Sequence, residues 1–168
     1  MTHESGTLAP DGVRSMFDRI APVYDVMNHV MTAGLDRRWR RLAVEAVVQP
    51  GAVVLDACCG TGDLAIAAER EGGIVTGLDF SGGMLVRARA KSDTIEWVQG
   101  DLLALPFPAG AFDAATVGFG VRNVAELAAA LGELRRVLRP GGRLDGQSDP
   151  PCRVRGAEGA AQARARPA

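Results

Sequence analysis

Two acids bracket a glycine turn in the stretch Val53-Val54-Leu55-Asp56-Ala57-Cys58-Cys59-Gly60-Thr61-Gly62-Asp63, an arrangement that suits a ligand with a cationic centre. Gly60 and Gly62 can take positive φ and let a ligand approach the backbone. Val53, Val54 and Leu55 form the short apolar, β-branched run of a buried parallel strand. Behind the turn, Leu64-Ala65-Ile66-Ala67-Ala68-Glu69-Arg70 is built of good helix formers. The order is strand, glycine turn, helix, and nucleotide-like ligands settle at such a turn, outside the carboxyl end of the strand. The next apolar run, Ile74-Val75-Thr76-Gly77-Leu78, ends in Asp79. An acid at the end of a second strand, about 20 residues past the first glycine, is placed to accept both hydroxyls of a ribose.

Two cofactor chemistries share a turn of this kind. Gly60-Thr61-Gly62-Asp63-Leu64-Ala65 fits the loose G-x-G-x-x-G/A pattern of nicotinamide and flavin dinucleotide sites. A dinucleotide sets its anionic pyrophosphate against the helix N-terminus, where Asp63 would repel it. Asp63 and Asp56 would instead attract the ammonium and sulfonium groups of S-adenosylmethionine. Asp63 can also cap the helix, with or without a ligand nearby.

The elements that must hold these residues follow from the rest of the chain. A length of 168 residues fits one domain with a real core, and an apolar content of 47% argues against disorder over most of it. With 19 Lys and Arg against 20 Asp and Glu the net charge is −1, and no basic block precedes the tail, which argues against nucleic acid as a partner. Cys58, Cys59 and Cys152 make no disulfide framework, and the adjacent pair lacks the spacing of a metal clip. The pair reads as small packing residues, which fits a reducing cytoplasm. His3 and His29 are too isolated to suggest a metal site. No apolar stretch approaches the ~20 residues of a membrane span, and the start lacks a signal-peptide pattern, so a soluble or at most peripheral protein is expected.

Residues 1–50 read as an N-terminal helical cap. Pro10-Asp11 opens a helix on which Val13, Met16, Phe17 and Ile20 make one apolar stripe. That stripe either packs against the domain or serves as a lid over a greasy substrate. A polar and aromatic cluster, Tyr24, Asp25, Met27, Asn28 and His29, follows Pro22. A second helix spans Leu35 to Val48, with Leu35, Trp39, Leu42, Ala46 and Val47 on one side. Arg37, Arg38, Arg40 and Arg41 lie mostly on the other, as a solvated face.

From Ala52 strands and helices alternate, which predicts an α/β, doubly wound parallel sheet covered on both faces over 51–144. The strands expected are Val53 to Asp56, Ile74 to Asp79, Ile95 to Gln99 and Ala114 to Gly118. Helices begin near Gly62 and Ser81, and a last one runs from about Ala125 to Leu138, stopped by Arg139-Pro140-Gly141-Gly142. From Asp145 to Ala168 the only large aliphatic residue is Val154, so disorder is expected over 145–168.

Several separated pieces together resemble one family. They are Met16-Phe17-Asp18-Arg19-Ile20-Ala21 with Tyr24-Asp25-Val26-Met27-Asn28, Arg38-Trp39-Arg40, Leu55-Asp56 through Ala65, and Asp79 with Met84-Leu85. Further on come Gly100-Asp101, Leu105-Pro106-Phe107-Pro108, Phe112-Asp113, Gly118-Phe119-Gly120-Val121-Arg122-Asn123-Val124 and Arg136-Val137-Leu138-Arg139-Pro140-Gly141-Gly142. The glycine turn marks the class I S-adenosylmethionine methyltransferases. The Tyr-Asp-x-Met-Asn and Phe-Gly-x-Arg-Asn segments narrow the resemblance to the menaquinone/ubiquinone biosynthesis C-methyltransferases, over residues 13 to 144.

The resemblance implies a Rossmann-like sheet and methyl transfer from S-adenosylmethionine to a ring carbon of a prenylated quinol, most simply demethylmenaquinol giving menaquinol. It places Thr61 in the cofactor turn, Asp79 at the ribose, Asp101 and Leu102 beside the adenine, and Gly118 at a position often occupied by serine. Such a transfer needs a developing phenolate to be stabilised. Arg122 is the candidate for that, with Asn123 orienting an oxygen, although both can instead cap the following helix. Tyr24, Asp25 and Asn28 either close over the cofactor or form a structural turn, and His29 is a further candidate base or a surface residue.

The family continues past the Pro-Gly-Gly turn with further strands, and the tail from Asp145 has the composition of a shifted reading frame or a truncation. An intact cofactor half and an incomplete substrate half are therefore expected. The alternatives are a cofactor-binding fragment without activity, pairing with a homologue or with itself through an exposed sheet edge, and a nicotinamide-dependent oxidoreductase. A lipid substrate also implies contact with the inner membrane face through the first helix.

Overall fold

The computed structural model describes residues 35–118, 124, 126–146 and 152–155. The first helix of the sequence reading and its Val13, Met16, Phe17 and Ile20 stripe lie outside them. The described elements are α1 (Leu35–Val47), β1 (Val53–Ala57), α2 (Asp63–Arg70), β2 (Ile74–Asp79), α3 (Gly82–Lys91), β3 (Glu96–Gln99), β4 (Phe112–Val117), α4 (Leu127–Val137), β5 (Leu138–Gly146) and β6 (Cys152–Arg155). They form one sheet in the order β3-β2-β1-β4-β5-β6. The pairings from β3 to β5 are parallel, and β6 runs antiparallel to β5.

Alternation along β1 shows why helices must cover both faces. Val54 joins one apolar layer with Val44 and Val47 of α1 and Val48 just after it, Leu64, Ala65 and Ala68 of α2, and Leu85 and Ala88 of α3. Leu55 and Ala57 point the other way, into a layer with Leu78, Leu102, Val117 and Ala130, Leu134 and Val137 of α4. Both faces are thus apolar, as a parallel sheet between two helix layers requires.

Two expectations need correction. On α1 Val47 is buried and Ala46 packs against the core as expected, but Leu42 is 53% exposed and Val44 takes the buried place instead. Beyond Gly142, the chain does not lose its structure at Asp145: β5 runs on through Asp145 and Gly146, and residues Cys152–Arg155 pair back onto Arg143–Gly146. Backbone pairing is the reason, since a strand next to β4 satisfies its amides whatever its side chains. β5 begins directly after α4, and its register slips between Leu138 and Arg143, where Gly141 has φ 81°.

On the second face Glu133 and Arg136 tie α4 to the loop before β4. Arg136 Nε and Nη2 donate to Glu133 at 2.7 and 2.8 Å, and Arg136 also donates to the carbonyls of Phe107 and Leu105. The Leu105 amide donates to Glu133 Oε2 at 2.9 Å. Hydrogen bonds from Arg136, then from Leu105, lower the Glu133 pKa from 4.5 to about 2. A depressed carboxyl contributes stability that is present above its unfolded pKa and lost as pH falls through the folded one. Wild type is therefore expected to exceed Glu133→Gln in stability by a constant margin above pH 4.5, and the margin should vanish towards pH 2. Urea midpoints over that range would show it.

Candidate functional site

The sheet order reverses between β1 and β4, and the crevice at their carboxyl ends is where an open α/β sheet takes a ligand. Asp56 pairs with Thr116 and Ala57 with Val117. This brings Cys58 opposite Gly118, whose added Cβ would lie 3.9 Å from the Cys58 carbonyl oxygen. Asp79 ends the neighbouring β2, and Asp101 follows β3 by two residues. The sequence candidates Asp56, Gly60, Thr61, Gly62, Asp79, Asp101, Leu102 and Gly118 thus all fall at the carboxyl ends of β1 to β4. Tyr24, Asp25, Asn28, His29, Arg122 and Asn123 lie outside the described residues.

Asp79 builds the turn. Its Oδ2 accepts the Gly60 amide at 2.8 Å and its Oδ1 accepts the Ser81 amide at 2.9 Å. One carboxylate therefore fixes the glycine turn and the start of α3 together. Ser81 in turn caps α3, its hydroxyl accepting the Met84 amide at 3.2 Å. An ionised carboxylate offers roughly four lone-pair sites, which suits Asp79 to ribose hydroxyls as well.

The turn is shaped for close approach. Gly60 has φ +55° and nothing within 4 Å of where a Cβ would stand, so its outer side is open. Gly62 has φ +85°, and a Cβ there would meet the Trp97 indole at 2.4 Å. Trp97, from β3, also lies 2.5 Å from where a Gly77 Cβ would be. Its Nε1 donates to the Ser92 carbonyl at 3.0 Å. The indole is thus the floor under the turn, a role the sequence reading missed. The available signal was a lone tryptophan in a short strand next to the glycine of β2.

Asp56 is fully buried. Its Oδ1 accepts the Thr116 hydroxyl at 2.8 Å, and its Oδ2 has no hydrogen-bond partner. Burial is the main cause that pushes its pKa from 3.8 to about 7, with the Asp79 charge adding to it and Thr116, the Ala65 amide and Arg40 pulling the other way. An acid with a raised folded pKa penalises the fold once it must ionise, fully so above the folded pKa. Asp56→Asn is therefore expected to gain stability relative to wild type as pH rises from 3.8 through about 7. Thermal melts at pH 5 and pH 8 check this; equal differences at both would refute it.

Asp63 behaves otherwise than expected. Gly62 is the N-cap of α2 and Asp63 makes no side-chain cap. Its carboxylate is held by Arg40 of α1 at 2.8 Å and by Lys91 of α3 at 2.8 Å, and Lys91 also donates to Thr61 Oγ1 at 3.0 Å. Both carboxylate oxygens of Asp63 are thus taken by cations of the chain itself, so Asp63 is not the lure for a ligand cation. The repulsion argument against a pyrophosphate falls with it. Arg40, read as part of a solvated face, is a partner of the turn instead.

The remaining candidates are quieter. Leu102 is 4% exposed and packs with the core, so the surface there belongs to Asp101, whose carboxylate accepts the Leu103 amide at 2.9 Å. Burial pushes the Cys58 thiol up to about 12 and that of Cys59 well above its ordinary value, which suits inert packing residues. Among the described residues no group of His, Cys, Asp and Glu is placed to hold a metal, and no helix is long and apolar enough to cross a membrane.

Comparison with known proteins bears on the choice of chemistry. The demethylmenaquinone methyltransferase of Renibacterium salmoninarum is 47% identical over 145 residues, covering 86% of this chain and 61% of its own length. The 2-phytyl-1,4-naphtoquinone methyltransferase of Synechococcus elongatus is 46% identical over 146 residues, covering 81% and 63%. The chain thus spans about three fifths of the length of these curated relatives. Among solved structures, an S-adenosylmethionine dependent methyltransferase from Mesorhizobium loti matches with a TM-score of 0.59 and 32% identity, over 67% of this chain and 55% of that one. The family model described as the ubiE/COQ5 methyltransferase family matches residues 5–147. The crevice between β1 and β4, its Asp79-bound glycine turn and this match agree, and the chain belongs to the ubiE/COQ5 methyltransferase family.

Proposed function

We propose that the chain binds S-adenosylmethionine at the carboxyl ends of β1, β2 and β4 and serves C-methylation of a prenylated quinol, with demethylmenaquinol the leading substrate. The observation that carries this reading is Asp79 at the end of β2, which holds the Gly60 amide of the glycine turn and the start of α3 with one carboxylate. The open space at Gly60 and the partnerless Oδ2 of Asp56 fit a ligand that brings both a ribose and positive charge. The relatives named above are quinone methyltransferases by their names, which supports the substrate class.

The bound sulfonium supplies an activated methyl group. The chain's own residues hold the donor, align the ring carbon and exclude water; alignment alone can supply roughly 7–11 kcal/mol of such a barrier. Thr61, Asp79, Asp101, Leu102 and Gly118 make up the donor site. Arg122 stabilises the phenolate, Asn123 orients its oxygen, and Tyr24, Asp25 and Asn28 close over the donor. The protein works in the cytoplasm, meets the membrane face through Val13, Met16, Phe17 and Ile20, and self-associates through its sheet edge.

A second reading is donor binding without turnover. Equilibrium dialysis with S-adenosylmethionine and with NADH, beside an assay of methyl transfer to demethylmenaquinol, separates the readings. Donor binding with product formation supports the enzyme, and donor binding without product supports the second reading. Binding of NADH alone would overturn both.

A further inference from the structure

Two acids stand at the crevice in unlike surroundings. Asp79 receives a backbone amide on each oxygen. Asp56 is fully buried, its Oδ1 receives the Thr116 hydroxyl, the Ala65 amide also favours its charged form, and its Oδ2 makes no hydrogen bond. Paired acids pushed apart in this way divide their roles. We infer that Asp56 senses the charge of the bound donor: it gives up its proton when a sulfonium compound occupies the glycine turn and regains it when that compound becomes a neutral thioether. The inference rests on the reading that S-adenosylmethionine binds here, and it adds a means of telling donor from spent product.

The surroundings of Asp56 support this. From β2 comes the anion Asp79, from α1 the cation Arg40, and from α2 the anion Asp63, itself held by Arg40 and by Lys91 of α3. From β4 come the Thr116 hydroxyl and, at the far end of that strand, Asp113, whose carboxylate accepts the Val53 amide. Asp145 of β5 pairs with Thr116 in the same row across the sheet. The thiols of Cys58 and Cys59 are neutral by burial. Of these charges, Asp79 raises and Arg40 lowers the pKa of a carboxyl that burial above all pushes up to about 7, while Asp63 and Asp113 are held in ion pairs, the latter with Arg139. One added positive charge in a poorly solvated site is enough to lower that pKa by about one unit, which is tenfold in affinity. Proton balance is simple: the proton released, a fraction of one on average near pH 7, leaves to solvent as the cation binds, and it returns once methyl transfer has removed the charge.

The test is calorimetry on the full chain with S-adenosylmethionine and S-adenosylhomocysteine, from pH 6 to pH 8, in two buffers of unlike ionisation heat. The expected result is release of a fraction of a proton near pH 7 with the sulfonium alone. The donor-to-product affinity ratio should rise about fivefold across the range, the larger part of the tenfold limit for a shift of one unit. The donor's own α-amino group titrates at about 7.7–8.0, so the decisive quantity is the difference between wild type and Asp56→Asn, in which the rise should disappear. Thr116→Val provides a second readout: without the hydroxyl that favours the ionised form, the rise should move to higher pH. A ratio flat in wild type, or unchanged in Asp56→Asn, overturns the inference and leaves donor binding standing. Failure of S-adenosylmethionine to bind at all overturns both.

Discussion

Gly62→Ala is expected to destabilise the chain by roughly 2–5 kcal/mol and to weaken S-adenosylmethionine binding with it. The backbone contributes first: at φ +85° an L-residue is in the left-handed region, at a cost of about 1–2 kcal/mol. Contact adds to this, since the new Cβ would stand 2.4 Å from the Trp97 ring, and overpacking of this kind costs about 1–3 kcal/mol. The ring has little room to yield, being 9% exposed and anchored through Nε1 to Ser92. Gly60→Ala is the control. Gly60 has φ +55° with nothing within 4 Å, so only the backbone part of about 1–2 kcal/mol applies. Its new methyl group would instead enter the open side of the turn, so ligand affinity should fall more than stability does. Urea midpoints and dialysis on both variants test the pair; equal losses of stability would mean that the indole is not the floor of the turn.

Trp97→Ala should cost about 3–5 kcal/mol, the usual range for removing a large buried aromatic. The more telling result is its coupling with Gly77→Ala. Gly77 has no positive φ, so a methyl group there is opposed by sterics alone, 2.5 Å from two atoms of the ring. In wild type Gly77→Ala should therefore be clearly destabilising, and in the Trp97→Ala background nearly neutral, because the methyl group then fills part of the cavity. A double-mutant cycle should return a coupling above about 1 kcal/mol, within the range for residues in contact. Additive losses would show that Gly77 and the Trp97 ring are not in contact. Donor affinity should fall in Trp97→Ala as well, since Gly62 rests on the same ring.

The parts of this site that could be read from sequence are those set by local chemistry. Val53 to Leu55 announced a buried strand, Gly60 and Gly62 a turn with positive φ, and Asp79 an acid at the end of the next strand; all three stand where expected. What the sequence concealed depends on which distant residues the fold brings together. Arg40 and Lys91 lie 23 and 28 residues from Asp63, and no periodicity marks them as its partners. The charge argument built on Asp63 failed for that reason, although the cofactor class it favoured agrees with the family. Trp97 was similarly hidden, because its role arises from the pairing of β2 with β3, which sets it opposite Gly77. The strand register also explains β5 and β6: composition spoke against order beyond Leu144, yet main-chain pairing to β4 does not consult composition.

The helix α1 has a consequence for how the molecule opens. Its last turn and the residue after it place Val44, Val47 and Val48 in the same layer as Val54 and Ala65, and its Arg40 reaches across to Asp63 at the head of α2. Helix and turn therefore form one cooperative unit, and local opening of either exposes the other. In native-state amide exchange, Val48, bonded to the Val44 carbonyl, and Ile66, bonded to that of Gly62, should share a single opening free energy. Ligand bound at the turn should slow both by the same factor, so that occupancy of the crevice is registered in a helix that need not touch the ligand.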